Sequence, residues 1–435
     1  SAATMAAVLW AGLALPAGEA WAQPSQSQAG KGAVKAELTY WPSANPQEIA
    51  FAKQVVAEWN ARHPDTPVRM EPLPASRSTE EVLLAAVAAH TTPDVCSNIN
   101  PGIVSALAAT HSLYPLDRFQ DFGSYVRSRT PEDIVARFRS ADGHFYQLPW
   151  KGNPVMMVYN RRLFQEAGIR PEELATYAGF LAAAEKFRAR FAPAGKWMIA
   201  LNIDPVWWQR FFDFYPLYIA ASGGKTLLQG GKPAFAGTAG TQVMQFLQTL
   251  FKRGYAPRST FSGDAFLQEK VAVAITGPYA LAFYEANKPA GFEYGVIPLP
   301  VPKAGARPVY TYADDKNIAI FSTCRHPEQA WEFVKFLTSK ENDVRFLQTT
   351  WQIPFRRDLS RDPAFRQILQ GRPQLGPFVR QSAYVAGTDD TQHLVEIFDA
   401  IAQEYQYGAV LGQETAAEAM ENAAGRVNEI LSSRF

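Results

Sequence analysis

Cysteine is nearly absent from this sequence, with two residues, Cys96 and Cys324, in 435. That excludes a disulfide framework of the sort that holds small secreted domains together, and leaves either one bridge or two separate buried thiols. Histidine is scarce as well. The six present form no His-Glu-x-x-His pair and no zinc spacing. Excess charge is missing: 42 Lys and Arg face 41 Asp and Glu, a net +1. There is thus no electrostatic case for a nucleic-acid or acidic-membrane partner. The sequence has no Gly-x-Ser-x-Gly elbow. Ser222-Gly223-Gly224-Lys225-Thr226 resembles half of a phosphate loop, but Ile219 stands where the first glycine is needed. Asp314-Asp315 and Asp389-Asp390 are the nearest approach to a glycosidase acid–base pair, and adjacent carboxylates on a loop point apart. No cofactor, metal or covalent chemistry is required by any of these residues.

What is present is bulk, apolarity and aromatic area. A chain of 435 residues exceeds one ordinary core, so two domains are expected. Hydrophobic residues make up 47% and aromatics 13%, including 10 Trp. Such a stock suits both cores and a cleft that grips flat apolar faces. Residues 5–17 are mostly Ala, Val, Leu and Trp, followed by Ala20-Trp21-Ala22 and a polar stretch. The run is too short to span a bilayer, and the small-x-small triplet reads as a secretory cleavage site. Residues 1–22 are therefore expected to be a cleaved signal and 23–35 a linker. Neither cysteine follows the apolar run, so a soluble product without a lipid anchor is expected.

From residue 36 the pattern alternates. Ala36 to Trp41 reads as a strand, and Gln47 to Arg62 as a helix with Ile49, Ala52, Val56 and Trp59 on one face. Val68 to Met70 is a strand. Ser78-Thr79-Glu80-Glu81 opens a helix as a capping box, and Asp94-Val95-Cys96 opens a further strand. Strand–helix alternation implies a parallel α/β sheet with right-handed crossovers. Later, Trp207 and Trp208 head an aromatic-rich helix reaching Ala221. Val271 to Thr276 has the composition of a strand buried on both faces, and Pro278 starts a helix after Gly277.

The organising stretch is 140–169. Phe145 to Leu148 reads as a strand ended by Pro149, Trp150 as an aromatic at a crossing between lobes, and Val155 to Tyr159 as the next strand. Its wording, Tyr146-Gln147-Leu148-Pro149-Trp150 then Tyr159-Asn160, Leu163-Phe164 and Glu166-Ala167-Gly168-Ile169, resembles that of family 1 extracellular solute-binding proteins. These are the maltose-binding-protein-like, sugar-capturing subunits of ATP-driven (ABC) importers. Gly277-Pro278-Tyr279-Ala280, Tyr294-Gly295-Val296-Ile297-Pro298-Leu299-Pro300, the helix at 325–337 and Gln352-Ile353-Pro354-Phe355-Arg356 are similar to further blocks of that family. Tyr279 stands where the family usually has Trp, and Glu269 where it usually has Gly.

The resemblance implies a periplasmic-binding-protein-like type II fold, two α/β lobes with a hinged cleft between them. The first lobe is expected from 36–147 and 316–350, the second from 148–315 and 351–435. It implies a monomeric, non-enzymatic periplasmic protein that captures a sugar or small oligosaccharide and delivers it to an ABC permease. A sugar phosphate, a polyol or another polar solute is the alternative ligand, and a secreted glycosidase the alternative class. Strand ends and crossings place ligands in α/β clefts. The candidates there are Trp41, Asn45, Asn98, Asn100, Trp150, Trp207, Trp208, Tyr279, Asp314, Trp351 and Arg356. Aromatics would cover the apolar face of a sugar, while Asn, Asp and Arg would meet its hydroxyls.

Overall fold

A computed structural model describes residues 36–433, apart from 205, 306–307, 358, 388 and 390. The expected signal and linker, 1–35, lie outside the described residues. The strands are β1 Leu38–Trp41, β2 Val68–Met70, β3 Val95–Ile99, β4 Leu148–Lys151, β5 Met156–Asn160, β6 Trp197–Ile199, β7 Leu228–Gln229, β8 Lys232–Pro233, β9 Val271–Thr276, β10 Tyr294–Ile297, β11 Thr311–Tyr312, β12 Lys316–Ile320 and β13 Val385–Ala386. They form two main sheets, in the orders β2-β1-β3-β12-β4 and β10-β5-β9-β6. Helices cover both sheets, giving two α/β lobes.

The first lobe shows how local sequence sets its elements. Leu38 and Tyr40 alternate inward along β1. Asn45 then caps the helix Pro46–Arg62, its side-chain oxygen accepting from the amides of Gln47 and Glu48. That helix buries Phe51, Ala52, Val55, Val56 and Trp59, a 3–4 spacing that lays one face on the sheet. β1 runs parallel to β2 and β3, while β12 enters antiparallel between β3 and β4. Cys96 and Cys324 are both buried and unbonded.

Two expectations around residue 148 are corrected. Pro149 does not end a strand; it lies inside β4, and Leu148–Lys151 belongs to the first sheet rather than the second lobe. β4 is an edge strand, so the missing N–H of a proline costs no ladder bond there. The Pro149 carbonyl accepts from Arg129 Nη1 at 2.5 Å.

The lobes are joined by segments running side by side. Gly152 donates to the carbonyl of Ile353 at 3.0 Å, Val155 donates to that of Tyr312 at 2.9 Å, and Pro154 bridges Ala313. Beneath them lies a buried polar network. Glu48 accepts from Lys151 and from Gln352 Nε2, and Gln352 accepts from Asn153 Nδ2 at 2.9 Å. Glu48 Oε2 and Asn153 Oδ1 are buried there without a hydrogen-bond partner, so the network is only partly satisfied. Among the described residues no helix is long and apolar enough to cross a membrane.

Candidate functional site

Between the lobes lies a cavity of about 180 Å³. The first lobe contributes Arg77, Ser78, Thr79, Glu80 and Asn100; the second contributes Trp207, Trp208, Phe211, Phe212 and Phe398; the crossing contributes Tyr312, Asp314 and Lys316. One wall is aromatic. It arises because the helix Trp207–Ser222 repeats aromatics at intervals of four, setting Trp207 over Phe211 and Trp208 over Phe212. Phe398, from the helix Leu394–Tyr405, stacks on Trp207 with ring centroids 5.7 Å apart and meets Phe211 at 4.4 Å. Phe211 and Phe212 also meet Tyr312, at 4.9 Å and 6.0 Å. Trp208 and Phe212 keep part of their surface open, whereas Trp207 and Phe211 are buried.

The facing wall is polar and internally neutralised. Lys316 Nζ lies 3.0 Å from Asp314 Oδ1 and 3.9 Å from Glu80 Oε1. Asn100 Nδ2 donates to Glu80 Oε1 at 2.9 Å, and the Tyr312 hydroxyl donates to Asp314 Oδ1 at 3.4 Å. Burial alone would lower the Lys316 pKa. The surrounding Asp314, Glu80 and Asp315 carboxylates outweigh it, so the ammonium is held above its ordinary range. The site is thus rings on one side and fixed donors and acceptors on the other, with its one lysine bracketed by acids.

Of the residues expected at the site, the cavity brings together Asn100, Trp207, Trp208 and Asp314. Asn45 and Tyr279 meet one another at its edge, Asn45 Nδ2 donating to the Tyr279 carbonyl at 3.5 Å. Tyr279 reaches toward Phe212, its ring centroid 6.5 Å away. Asn98 stands behind the wall and donates to Thr79 Oγ1 at 2.8 Å. Trp41 ends β1 half-buried against the core.

Three candidates lie elsewhere. Trp150 is 1% exposed and packs in the first lobe's core against Phe346 at 4.6 Å and Phe51 at 6.4 Å. Its strand continues past Pro149, which turns the ring inward under the sheet. Trp351 caps the helix Lys340–Thr350 in a left-handed conformation, φ 62°, and lies beneath the Arg372 guanidinium at 4.4 Å. Arg356 pairs with buried Asp343 at 3.4 Å, beside Arg129. Burial raises the Asp343 pKa to about 6 despite both arginines. Glu80 and Lys316 went unnoticed in the sequence because only sheet closure joins β12 to the start of the helix Thr79–Ala88. Phe211 and Phe212 carried a readable signal, four residues after each tryptophan.

Asp314 and Asp315 form the link between β11 and β12, and their side chains diverge to opposite sides of it. Asp314 and Lys316 face the cavity just described. Asp315 faces another, of about 210 Å³, walled by Arg137, Gln147, Thr226 and Gly387 among others. Asp315 Oδ1 is buried without a hydrogen-bond partner, and burial pushes its pKa up to about 7. An acid whose pKa rises on folding keeps its proton longer in the folded state, so stability falls as pH rises from about 4 to about 7. Asp315→Asn is therefore expected to raise the melting temperature at pH 8 and to change it far less at pH 4.5. Equal shifts at both values would contradict this. Asp389, by contrast, staples loops together, accepting from the amides of Leu227 and Leu228 and from Tyr215. Among the described residues no group of three or more His, Cys, Asp or Glu is arranged to hold a metal ion.

A larger cavity, about 500 Å³, lies in the second lobe between Pro171, Leu174, Ala221, Leu299 and Tyr310 among others. It is walled by one lobe only, so closure of the cleft does not shape it.

The family model for bacterial extracellular solute-binding proteins matches residues 43–344. The chain belongs to that family. Its relatives include the maltotriose-binding protein of Pyrococcus abyssi, 23% identical over 345 residues, which cover 76% of this chain and 69% of that one. The arabinooligosaccharide-binding protein of Halalkalibacterium halodurans is 24% identical over 220 residues, 49% of this chain and 45% of its own length. The chain thus spans about half the length of several relatives that it matches. Among solved structures, the cyclic alpha-maltosyl-1,6-maltose binding protein of Arthrobacter globiformis superposes with a TM-score of 0.74 at 22% identity, covering 92% of this chain and 99% of that one. For a solute-binding protein, the interlobe cavity is where fold and side-chain chemistry coincide.

Proposed function

We propose that this solute-binding protein captures a sugar or short oligosaccharide in the interlobe cavity and delivers it to the permease of an ABC importer, acting as a monomer free in the periplasm and without catalysis. The observation that carries this reading is the pairing of the open Trp208 and Phe212 faces with the Asp314–Lys316–Glu80–Asn100 wall. A pyranose has one apolar face and a rim of hydroxyls, and the two walls match them. The sugar-binding relatives support the same class. A sugar phosphate fits less well, since Lys316 is bracketed by two carboxylates and the lining's two cations, Arg77 and Lys316, are matched in number by Glu80 and Asp314. A glycosidase reading is also disfavoured, because Asp314 and Glu80 are both committed to Lys316 rather than free as acid and base.

The cavity is smaller than the roughly 300–1,000 Å³ of ordinary ligand pockets, so the lobes must part to admit an oligosaccharide and close on it. A thermal-shift screen over neutral oligosaccharides, acidic sugars and sugar phosphates tests the ligand class, because a ligand of the folded state alone raises its stability by about 2.7 kcal/mol at a hundred times Kd. The expected result is stabilisation by a neutral sugar, with a smaller radius of gyration in solution scattering when that sugar saturates. Stabilisation by phosphorylated sugars alone, or an unchanged scattering profile at saturation, would overturn the proposal.

A further inference from the structure

Glu81 occupies the third position of the helix Thr79–Ala88, whose cap is Ser78. Ser78 Oγ accepts from the Glu81 amide at 3.0 Å, which is half of a capping box. The other half, a carboxylate reaching back to the cap's own amide, is not what Glu81 does. Its Oε1 instead accepts from the indole N–H of Trp207 at 3.1 Å. The two residues are on different lobes, Glu81 on the helix after β2 and Trp207 at the head of the helix after β6.

The contact links the two walls of the cavity. Trp207 is held on one face by Phe398, and its N–H is the only polar handle on the ring. Val206, which precedes it, provides no side-chain cap to fix the helix start. The Asn45–Tyr279 bond also bridges the lobes, but at 3.5 Å and between neutral groups. A hydrogen bond accepted by a carboxylate is stronger than one between neutral groups.

We propose that Glu81 is a positioning residue that favours the closed over the open arrangement of the lobes through Trp207, without fixing either, and orients its ring in the binding cavity. Parting of the lobes breaks the bond and frees the ring; closure restores both. The aromatic wall is therefore completed by the first lobe. Only the affinity arm of the test rests on the sugar-binding reading.

The experiment compares wild type, Glu81→Ala, Glu81→Gln, Trp207→Phe and the Glu81→Ala/Trp207→Phe double variant in the full chain. Scattering without ligand reads the radius of gyration, and calorimetry with maltotriose as probe reads affinity. Glu81→Ala is expected to enlarge the radius and weaken binding about fivefold. Glu81→Gln keeps an acceptor oxygen without the charge and should open the lobes less than Glu81→Ala. The double variant should be no more open than Trp207→Phe alone, since both remove one bond. A radius unchanged in Glu81→Ala, or enlarged equally in Glu81→Gln, overturns the proposal whatever the affinities. Failure of wild type to bind maltotriose or any neutral oligosaccharide of the thermal-shift screen would instead count against the sugar reading, with the radii still deciding the role of Glu81.

Discussion

Trp150→Ala is expected to lose about 3–5 kcal/mol of stability, the range for emptying a buried aromatic site, while the folded fraction keeps its ligand affinity. The ring is 1% exposed and packs between Phe51 and Phe346, with the Lys151 ammonium 4.9 Å from its centroid. Removing it opens a cavity under β4 and strips apolar cover from Lys151, whose pKa burial already lowers. Denaturant unfolding monitored by far-ultraviolet circular dichroism measures the loss. A stable variant with impaired ligand binding would place the ring in the cleft and refute its assignment to the core.

Trp208→Ala should do the reverse. This ring is part-exposed on the cavity wall, in register with Phe212 one helical turn on. Its loss is expected to weaken carbohydrate binding at least about tenfold, equivalent to 1.4 kcal/mol, with a stability change below about 1 kcal/mol. Calorimetric titration beside an unfolding curve separates the two effects. Undiminished affinity would mean that the sugar rests on Phe212 and Tyr279 instead, and that Trp208 only borders the site.

The contrast between these tryptophans shows what the sequence could reveal. Aromatic-rich composition marked the helix carrying Trp207 and Trp208, because composition is a local property, and the helix ends one residue past the expected Ala221. Trp150 was misread through a local rule correctly stated but wrongly applied. Proline ends a central strand, yet β4 is an edge, and edge status depends on β12, which arrives late in the chain. Arg356 failed for a similar reason: a turn beside the crossing gave no sign that Asp343 was buried beneath it. Asn45 serves both as a helix cap and as a lobe-bridging donor. Asn100 has a comparable double duty, since its Oδ1 accepts from Gly102 while its Nδ2 turns to Glu80. Glu80 and Lys316 became partners only through β3–β12 pairing, a relation between distant segments that no window along the chain displays.

That late strand has a consequence for how the chain is made. β12 lies between β3 and β4, and the helix Lys340–Thr350 supplies Phe346 to pack against Phe51 and Trp150. The first sheet thus lacks an interior member until residue 320 has been synthesised, and its core lacks a wall until residue 350. A nascent chain shorter than that carries β3 and β4 without the strand that joins them, exposing unpaired strand edges and apolar surface. Folding therefore cannot proceed lobe by lobe from the N-terminus; it must wait for contacts of high sequence separation, which form slowly. For most of elongation the first lobe remains unfinished, a state that can pass through a narrow conduit and equally one that depends on protection from self-association.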